Sequence, residues 1–395
     1  MRVLLLSFYY PPDIGPAPLR AKSLLDALMD VSDTKLEVVV LTTLPNRYHT
    51  HEASAPEFEQ NGSVSVSRFT LPQHHSGMVD QARAFITYAR SVLGFAKDQQ
   101  WDVVIATSSR LMTAVLGAWV SRKTKSKLYL DIRDLFTDTM EDVLTKNPLR
   151  ILMPAFRLLE RWTFRSAHQM NVVSAAFLPH VAEVAPAQKP TVFTNGIDEI
   201  FVDTDFSSQE KKDHSLVLYA GNMGQGQGLH HVIPGAASAL KKEKIFFRLL
   251  GDGGERKTLQ YSITNMNLAN VEILDPVPRT KLIEQYKMAD VLFLHLNDFK
   301  AFHKVLPSKI FEYAATGKPI LAGVGGYAAE FLREQVPGVE VFNPCDIEAM
   351  NVGLQKLLNG PRMIKRSDFC SRYFRKNIMW NMAQDIRAST NIVYK

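Results

Sequence analysis

The stretch that decides the fold is residues 216–228, Leu216-Val217-Leu218-Tyr219-Ala220-Gly221-Asn222-Met223-Gly224-Gln225-Gly226-Gln227-Gly228. A short apolar run, typical of a buried strand, leads directly into a loop with four glycines in eight residues, and a helical pattern follows. Glycines between a strand and a helix let backbone N–H groups approach phosphate oxygens. The stretch therefore predicts a loop that can wrap a diphosphate, with a flexible turn that binds no ligand as the alternative.

The spacing of these glycines differs from that of a dinucleotide-binding fingerprint. Gly224, Gly226 and Gly228 alternate, which breaks the pattern that the fingerprint requires. The next strand ends in Gly251 with Asp252 one residue beyond, where the fingerprint places an acidic residue about 20 positions on. A dehydrogenase is therefore disfavoured.

Buried strands that alternate with helices recur along the whole chain. They predict an α/β protein with parallel sheets covered on both faces, because such strands read as continuous apolar runs. The first predicted helix is Leu19–Met29. The other predicted strands are Arg2–Phe8, Leu36–Thr42, Asp102–Thr107, Lys127–Asp131, Phe246–Leu250, Val271–Leu274, Val291–Leu296 and Pro319–Ala322.

The length of 395 residues predicts two domains, because a single core stops growing at about 250–300 residues. Turn residues at 194–198 and a polar stretch at 207–213 place the seam within residues 195–212. We expect an N-terminal domain over 1–200 and a C-terminal domain over 201–375. The last residues, from Ser367 to Lys395, have a helical pattern.

The cysteine content, the apolar segments and the net charge indicate the cellular compartment and the kinds of site to expect. The two cysteines, Cys345 and Cys370, fit a reducing compartment, and no Cys/His cluster has the spacing of a zinc site. The apolar start is stopped by Pro11 and Pro12, so we expect a strand there and not a signal peptide. A membrane span would need a run of about 18 apolar residues, and the sequence contains no such run. The net charge of +6 is a mild excess.

Two candidate sites lie in the first half of the chain. In the Pro11–Pro16 turn, Gly15 precedes a helix with Arg20, and free N–H groups at a helix start favour anions; a plain rigid turn is the alternative. Arg133 and Asp134 follow a buried strand, where ligands bind in open parallel sheets. Because buried unpaired charges are costly, we expect this pair at a ligand cleft; a cluster of mutually paired charges on the surface is the alternative.

Two more candidate sites lie in the second half. The segment Gly251-Asp252-Gly253 is a tight turn after a strand, and Lys257 on the next helix could reach an anion or stay solvated. In residues 307–313, Ser308 and Lys309 fall in the first turn of a helix and Glu312 lies one turn later on the same side. A carboxylate there could accept hydrogen bonds from a ribose. The alternative is a surface ion pair.

Taken in order along the chain, the Gly15 turn, the 133–134 strand end, the 221–228 loop, the 251–253 turn and the 307–319 segment resemble family 4 of the retaining glycosyltransferases. That family has the fold called GT-B, with two facing Rossmann-like domains and a cleft between them. The resemblance is closest to a bacterial subgroup that adds N-acetylated 6-deoxy sugars, such as N-acetylfucosamine, in O-antigen and capsule synthesis. There the patterns Gly-Asn-x-Gly-x-x-Gln-Gly and Pro-Ser-Lys-x-x-Glu-Tyr recur.

The resemblance implies retaining transfer of a sugar from a nucleoside diphosphate, UDP, to a polyprenyl-diphosphate-linked or other saccharide acceptor, with neither metal nor cofactor. It also implies that a C-terminal helix, about 376–395, packs back on the first domain. The implied catalytic residues are Arg133, Asp134 and Lys309. The implied donor-binding residues are Gly15, Arg20, Gly221, Asn222, Gly224, Gln227, Gly251, Asp252, Gly253, Lys257, Ser308 and Glu312.

The chain departs from the wider family at three positions. Asn222 and Gln227 stand where the family has an arginine and a lysine on the donor diphosphate, and Lys304 stands where it has the first of two glutamates. Lys309 and Lys257 are the candidates to supply the missing positive charge.

Residues 146–167 predict a helix with one basic stripe, because Arg157, Arg161 and Arg165 are four apart beside Phe156 and Trp162. Such a helix could lie on an anionic membrane surface or pack on the sheet with its arginines in water. With the lipid-linked acceptor, it predicts a cytoplasmic protein that is peripheral on the inner face of the cell membrane.

Two other functions are compatible with the same features. A nucleotide-sugar epimerase would need carboxylates and histidines in the cleft, and a binding subunit without catalysis would tolerate the altered donor positions. Nucleic-acid binding is disfavoured, since no basic run is interleaved with aromatic residues. The histidines available to an epimerase are His49, His51, His74, His75, His230, His231 and His303.

Overall fold

The computed structural model describes residues 1–31, 35–46, 54–72, 78–108, 111–143, 148–207 and 213–390. They form two compact units, Met1–Asn195 with Lys376–Lys395, and Gly196–Arg375. The observed boundary lies five residues before the predicted one at 200/201, and the first unit resumes where the predicted returning segment begins.

The first unit is built on one sheet with the strand order β3-β4-β2-β1-β5-β6-β7-β8. All neighbours are parallel except the β3–β4 hairpin. Its two central strands are buried except at Arg2, and they are apolar apart from Arg2 at the start of one and Thr107 and Ser108 at the end of the other, which explains why continuous apolar runs predicted them. The strands are β1 (Arg2–Leu6), β2 (Glu37–Thr43), β3 (Phe58–Asn61), β4 (Val64–Phe69), β5 (Val103–Ser108), β6 (Lys127–Ile132), β7 (Gln169–Val172) and β8 (Thr191–Val192).

Helices connect these strands. The first begins at Pro16, whose fixed φ suits the first helical position, and it buries Leu24, Leu25 and Leu28. The helices are α1 (Pro16–Val31), α2 (Met78–Ala96), α3 (Leu111–Thr124), α4 (Phe136–Val143), α5 (Met153–Ser166) and α6 (Leu178–Val184).

The second unit has a six-stranded, fully parallel sheet with the order β11-β10-β9-β12-β13-β14. Alternate residues of one strand enter different buried clusters, Leu218 and Ala220 in one and Val217 and Tyr219 in the other. Both faces are therefore covered. The strands are β9 (Ser215–Ala220), β10 (Ile245–Leu250), β11 (Val271–Leu274), β12 (Val291–His295), β13 (Ile320–Gly323) and β14 (Val339–Phe342).

The strand order reverses direction between β9 and β12. From β9 the chain proceeds to β10 and β11 on one side, and from β12 to β13 and β14 on the other. Ligands of open α/β sheets bind at the carboxyl ends of the strands at such a point. The helices of this unit are α7 (Glu199–Val202), α8 (Leu229–Ala239), α9 (Arg256–Asn265), α10 (Arg279–Met288), α11 (Lys309–Ala315), α12 (Gly326–Gln335), α13 (Ile347–Leu358) and α14 (Ser367–Arg372).

The last helix, α15 (Arg375–Thr390), belongs to the first unit from Lys376 onward. The Asp385 carboxylate accepts hydrogen bonds from the Tyr129 hydroxyl at 3.0 Å and from Gln169 Nε2 at 3.1 Å, which tie the helix to β6 and β7. The predicted continuous helical stretch is thus two helices, α14 and α15, with Phe374 between them paired to Ile197.

Candidate functional site

The glycine loop follows β9 at the reversal point of the second sheet. Gly221 N–H donates to Leu250 O at 2.9 Å, and the loop then closes a turn in which Gln227 N–H and Gly228 N–H both donate to Gly224 O, at 3.1 and 3.3 Å. Helix α8 begins directly after Gly228. Bonds within the protein occupy the other N–H groups of the loop, so those of Asn222, Gln225 and Gly226, together with the start of α8, are the ones that can meet an anion.

The turn after β10 packs against this loop backbone to backbone. Met223 N–H donates to Asp252 O at 2.8 Å. A Cβ on Gly251 would lie 1.8 Å from Gly221 O, and one on Gly253 would lie 2.6 Å from the Met223 carbonyl carbon. Glycine is therefore required at both positions by packing between the two turns, and donor contact for them stays a prediction.

Asn222 and Gln227, which replace two charged family residues, are bonded to each other. Asn222 Nδ2 donates to Gln227 Oε1 at 2.7 Å, and Gly224 N–H donates to the same oxygen at 3.3 Å. The pair closes the loop with neutral groups. A Cβ on Gly224 would lie 2.7 Å from Asn222 Nδ2, so a larger residue there would disturb this pair.

Glu312 of α11 lies in a buried polar cluster with Lys309 and Tyr286. Lys309 Nζ donates to Glu312 Oε2 at 2.9 Å and to the Tyr286 hydroxyl at 3.2 Å, and that hydroxyl donates to Glu312 at 3.3 Å. Burial would raise the pKa of Glu312, but the charges of Lys309 and Arg279 outweigh it and hold this pKa below its ordinary value. The carboxylate therefore stays ionised.

The charge of Lys309 is already used within this cluster. Burial would lower the pKa of its amine, but Glu312 outweighs burial and the pKa is raised, so the amine stays protonated. A bond from Ala220 N–H to the Tyr313 hydroxyl, at 3.2 Å, links α11 to the residue before the glycine loop. The ion pair and a role toward a ligand are both compatible with this placement.

Three other residues predicted to bind the sugar donor lie at helix starts or in a turn. Ser308 directly precedes α11, is half-buried and makes no capping bond with its side chain. Lys257 is exposed on the first turn of α9. The Asp252 carboxylate accepts the Gly253 N–H at 2.8 Å, which fixes its own turn.

Arg20 was predicted to bind the donor, and the structure places it inside the first unit instead. Its Nε and Nη2 donate to the Asp131 carboxylate at 2.8 and 2.9 Å, and Nη1 donates to Thr194 O at 2.8 Å. Neither side chain of the ion pair is exposed. This corrects the expectation: Arg20 offers no surface to a ligand and braces β6 against the end of the unit.

Gly15, Arg133 and Asp134 belong to connections that follow strands of the first unit. Gly15 directly precedes α1, and Arg133 and Asp134 follow β6 with half-buried side chains. Burial raises the pKa of the Asp134 carboxyl to about 6, and the Leu135 N–H and Arg133 oppose that shift only in part. Asp134 is thus the group among these three that can exchange a proton near neutral pH.

The sequence reasoning missed His295, Asn297 and Cys345, which lie under the glycine loop. His295 ends β12, and its Nδ1 donates to Gln227 O at 2.6 Å. A polar pair at 295 and 297 directly after an apolar strand is a signal of a strand-end site. The sequence pattern does not show, however, that β12 lies next to β9 in the sheet.

The histidines invoked for an epimerase are only partly described. His49, His51, His74 and His75 lie outside the described residues. His303 pairs with the Asp298 carboxylate at 3.0 Å, and the rings of His230 and His231 lie 3.9 Å apart. Within the described ranges, no group of three or more His, Cys, Asp or Glu residues could hold a metal ion.

Two family models match the chain, one in each unit. Residues 21–196 match the glycosyl transferase 4-like domain, and residues 202–376 match glycosyl transferases group 1. The putative colanic acid biosynthesis glycosyl transferase WcaI of Escherichia coli (strain K12) is 28% identical over 215 residues, which are 53% of this chain and 51% of that protein. The match thus spans about half the length of this curated relative.

Solved structures share the fold over the whole chain. Anabaena Alr3699/HepE in complex with UDP-glucose covers 98% of this chain and 100% of its own, with 16% identity and a TM-score of 0.65. WaaG, a glycosyltransferase involved in lipopolysaccharide biosynthesis, covers 100% of both chains, with 14% identity and a TM-score of 0.64. The predicted fold class, two Rossmann-like domains with parallel sheets, is confirmed.

Proposed function

Because the chain belongs to the glycosyltransferases with the GT-B fold, we propose that it moves a sugar from UDP to a saccharide acceptor in cell-surface polysaccharide synthesis. The observation that carries this proposal is the second unit's reversal point, where a backbone-lined glycine loop and an ionised, nearly buried Glu312 are joined through Tyr313 and Ala220. The loop suits a diphosphate and the carboxylate suits the ribose hydroxyls. The solved complex of HepE with UDP-glucose supports this donor class.

The donor sugar and the acceptor follow from the resemblance. We propose an N-acetylated 6-deoxyhexose such as N-acetylfucosamine as the transferred sugar, and a polyprenyl-diphosphate-linked saccharide as the acceptor. Relatives named for colanic acid and lipopolysaccharide synthesis support this acceptor class.

The reaction is retaining transfer without a metal. The acceptor oxygen bonds to the anomeric carbon on the face that the diphosphate leaves, and the hydroxyl proton passes to the leaving diphosphate. The loop N–H groups of Asn222, Gln225 and Gly226, the start of α8 and the Lys309 amine stabilise the charge that develops on the diphosphate. Arg133 and Asp134 hold the acceptor hydroxyl. No nucleophile is needed in this scheme.

We expect transfer to survive chelation. A mixture of protein, UDP-sugar and lipid-linked acceptor should release UDP at the same rate with and without EDTA, because peptide N–H groups and lysine supply the positive charge. UDP release can be followed by a coupled assay. The exposed Asp203 and Asp205, the one Asp-x-Asp pair, follow α7 and not a strand end.

A metal requirement would contradict this mechanism. The decisive result would be loss of UDP release in EDTA that magnesium or manganese restores. Aspartate variants at 203 and 205 serve as the control, since the mechanism predicts unchanged rates for them.

A basic and apolar patch on α5 and its surroundings supports a membrane-bound acceptor. Arg157, Arg161 and Arg165 are all exposed, as is Leu158, and Ile151 is 82% exposed. Arg157 pairs with Glu141 at 2.7 Å, so part of its charge is neutralised. No helix in the described ranges is long and apolar enough to cross a membrane. We propose that this patch rests on an anionic leaflet.

Replacing the three arginines by glutamate should reduce binding to anionic liposomes by about a hundredfold or more, since each basic side chain near the surface contributes ~1 kcal/mol and glutamate adds repulsion. Flotation with and without salt measures this. The matched control replaces Lys241, Lys242 and Lys244 by glutamate. These lysines are exposed on the second unit, and their replacement changes the net charge by the same amount. Equal losses in both variants, or wild-type protein that ignores the liposomes at low salt, would contradict a specific membrane face.

A further inference from the structure

Three successive carbonyl oxygens of the glycine loop accept hydrogen bonds from the end of β12. His295 Nδ1 donates to Gln227 O at 2.6 Å, the backbone N–H of Asn297 donates to Gly226 O at 2.9 Å, and Asn297 Nδ2 donates to Gln225 O at 3.0 Å. In a planar trans peptide the N–H points opposite to the C=O. The N–H groups that follow these carbonyls are those of Gly226, Gln227 and Gly228. The last two donate to Gly224 O, so the three bonds to β12 hold the closed turn in place and fix the direction of the Gly226 N–H.

Cys345 determines which atoms of these two side chains can donate. Its backbone N–H donates to His295 Nε2 at 3.0 Å, so Nε2 is an acceptor and the proton lies on Nδ1. Its Sγ donates to Asn297 Oδ1 at 3.4 Å, and Asp298 N–H donates to the same oxygen at 3.0 Å. The Asn297 amide nitrogen is thereby turned toward Gln225 O. One residue orients both donors.

The His295 ring is locked in place. It is fully buried and packs against both Phe293 and Phe342, whose ring centroids each lie 6.0 Å from its own. A Cβ on Gly323 would lie 2.3 Å from His295 Cδ2, so the ring fills the space above this glycine. Burial lowers the pKa of the imidazole to about 4, which keeps it neutral and able to accept from Cys345.

We propose that His295 is the positioning residue of the diphosphate loop, acting through its Nδ1–H on Gln227 O, with Asn297 as its partner and Cys345 as the group that orients both. It touches no substrate and is not a catalytic residue. The inference rests on the proposed function, because it assumes that the loop binds a nucleoside diphosphate. It explains how a loop without the family's arginine and lysine keeps its turn closed and the Gly226 N–H in a defined direction.

Two substitutions separate the two hydrogen bonds of the ring. In His295→Asn the amide nitrogen occupies the position of Nδ1 and can still donate to Gln227 O, whereas in His295→Gln the side-chain oxygen reaches the position of Nε2 and serves only Cys345 N–H. We expect His295→Asn to bind UDP within about threefold of wild type and His295→Gln to bind it about tenfold or more weakly, the effect of one lost buried hydrogen bond. Titration calorimetry measures both.

A matched control removes a polar contact elsewhere in the same unit. Asn270→Ala deletes the bond from Asn270 Nδ2 to Ala237 O, 3.1 Å long, and should leave the affinity for UDP unchanged. The steady-state KM for the donor should rise in His295→Gln while the KM for the acceptor stays constant. If His295 had only a structural role, His295→Gln would change the UDP affinity, the KM for the donor and the KM for the acceptor together.

The tautomer of the His295 imidazole can be determined in the wild-type protein, without any substitution. In wild-type protein with ¹⁵N-labelled histidine, NMR should show the His295 proton on Nδ1, and a proton on Nε2 would overturn the inference. Equal losses of UDP affinity in His295→Asn and His295→Gln, or an unchanged His295→Gln, would do the same. Wild-type protein with no affinity for UDP would instead overturn the proposed function itself.

Discussion

Replacing Gly251 by alanine is expected to weaken donor binding by about a hundredfold, because overpacking of this severity costs ~3 kcal/mol. The new Cβ would lie 1.8 Å from Gly221 O, so the turn after β10 and the glycine loop would have to separate. The backbone φ of Gly251, 147°, adds strain for any larger residue. The affinity should fall because separating the two turns displaces the glycine loop and the N–H groups that it offers to the diphosphate. Titration calorimetry with UDP measures the change.

The same turn offers a matched control in Gly254. A Cβ there would meet no atom within 4 Å, so Gly254→Ala should bind UDP as wild type does. Circular dichroism of both variants tests whether the sheets persist. Full donor affinity in a folded Gly251→Ala would show that the contact between the two turns does not shape the donor site.

Glu312→Gln is expected to weaken UDP binding about ten- to a hundredfold, since a charge-assisted hydrogen bond contributes roughly 1.5–3 kcal/mol. The amide keeps the size of the side chain but loses the charge that the ribose hydroxyls and Lys309 meet. Pyrophosphate, which lacks the nucleoside, should bind this variant almost as well as it binds wild type.

Tyr286→Phe is the matched control for Glu312. It removes a 3.3 Å hydrogen bond to the carboxylate and leaves the charge and the Lys309 pair in place. We expect only a small loss of UDP affinity. If UDP and pyrophosphate weakened equally in Glu312→Gln, the carboxylate would act on the phosphates or on Lys309, and the ribose assignment would be wrong.

Much of the fold could be predicted because its central strands are buried on both faces. Val271–Leu274 agrees in full with β11, and Leu216–Ala220 with β9 to within one residue. Strand β3 carries no such signal, since all four of its residues are exposed. Strand β8 has only two residues, too few for any periodicity to appear.

The candidate site could be predicted only where its residues share a local motif. The 221–228 loop and Glu312 lie in compact patterns whose chemistry can be read from spacing. His295 and Cys345 are 50 positions apart and meet because β13 lies between β12, which ends at His295, and β14, which Cys345 follows. Sheet order is a tertiary property that local periodicity does not encode.

Arg20 shows the opposite error, in which a local pattern was read as a site. An arginine in the first turns of a helix after a glycine is compatible with anion binding. Its partner, Asp131, lies 111 positions away, and the pair is fully buried. Burial of a charge is tolerated only with a partner, and that partner could not be assigned from spacing.

The central claim is that this chain transfers a sugar with retention from a nucleoside diphosphate to an acceptor. The most direct test is NMR of the products formed from an α-linked UDP-N-acetyl-6-deoxyhexose and a polyprenyl-diphosphate-linked saccharide. We predict one UDP released for each new glycosidic bond, and an α linkage in the product. A β linkage would contradict retention, an epimerised nucleotide sugar formed without acceptor would identify an epimerase, and bound donor without turnover on any acceptor would identify a binding subunit.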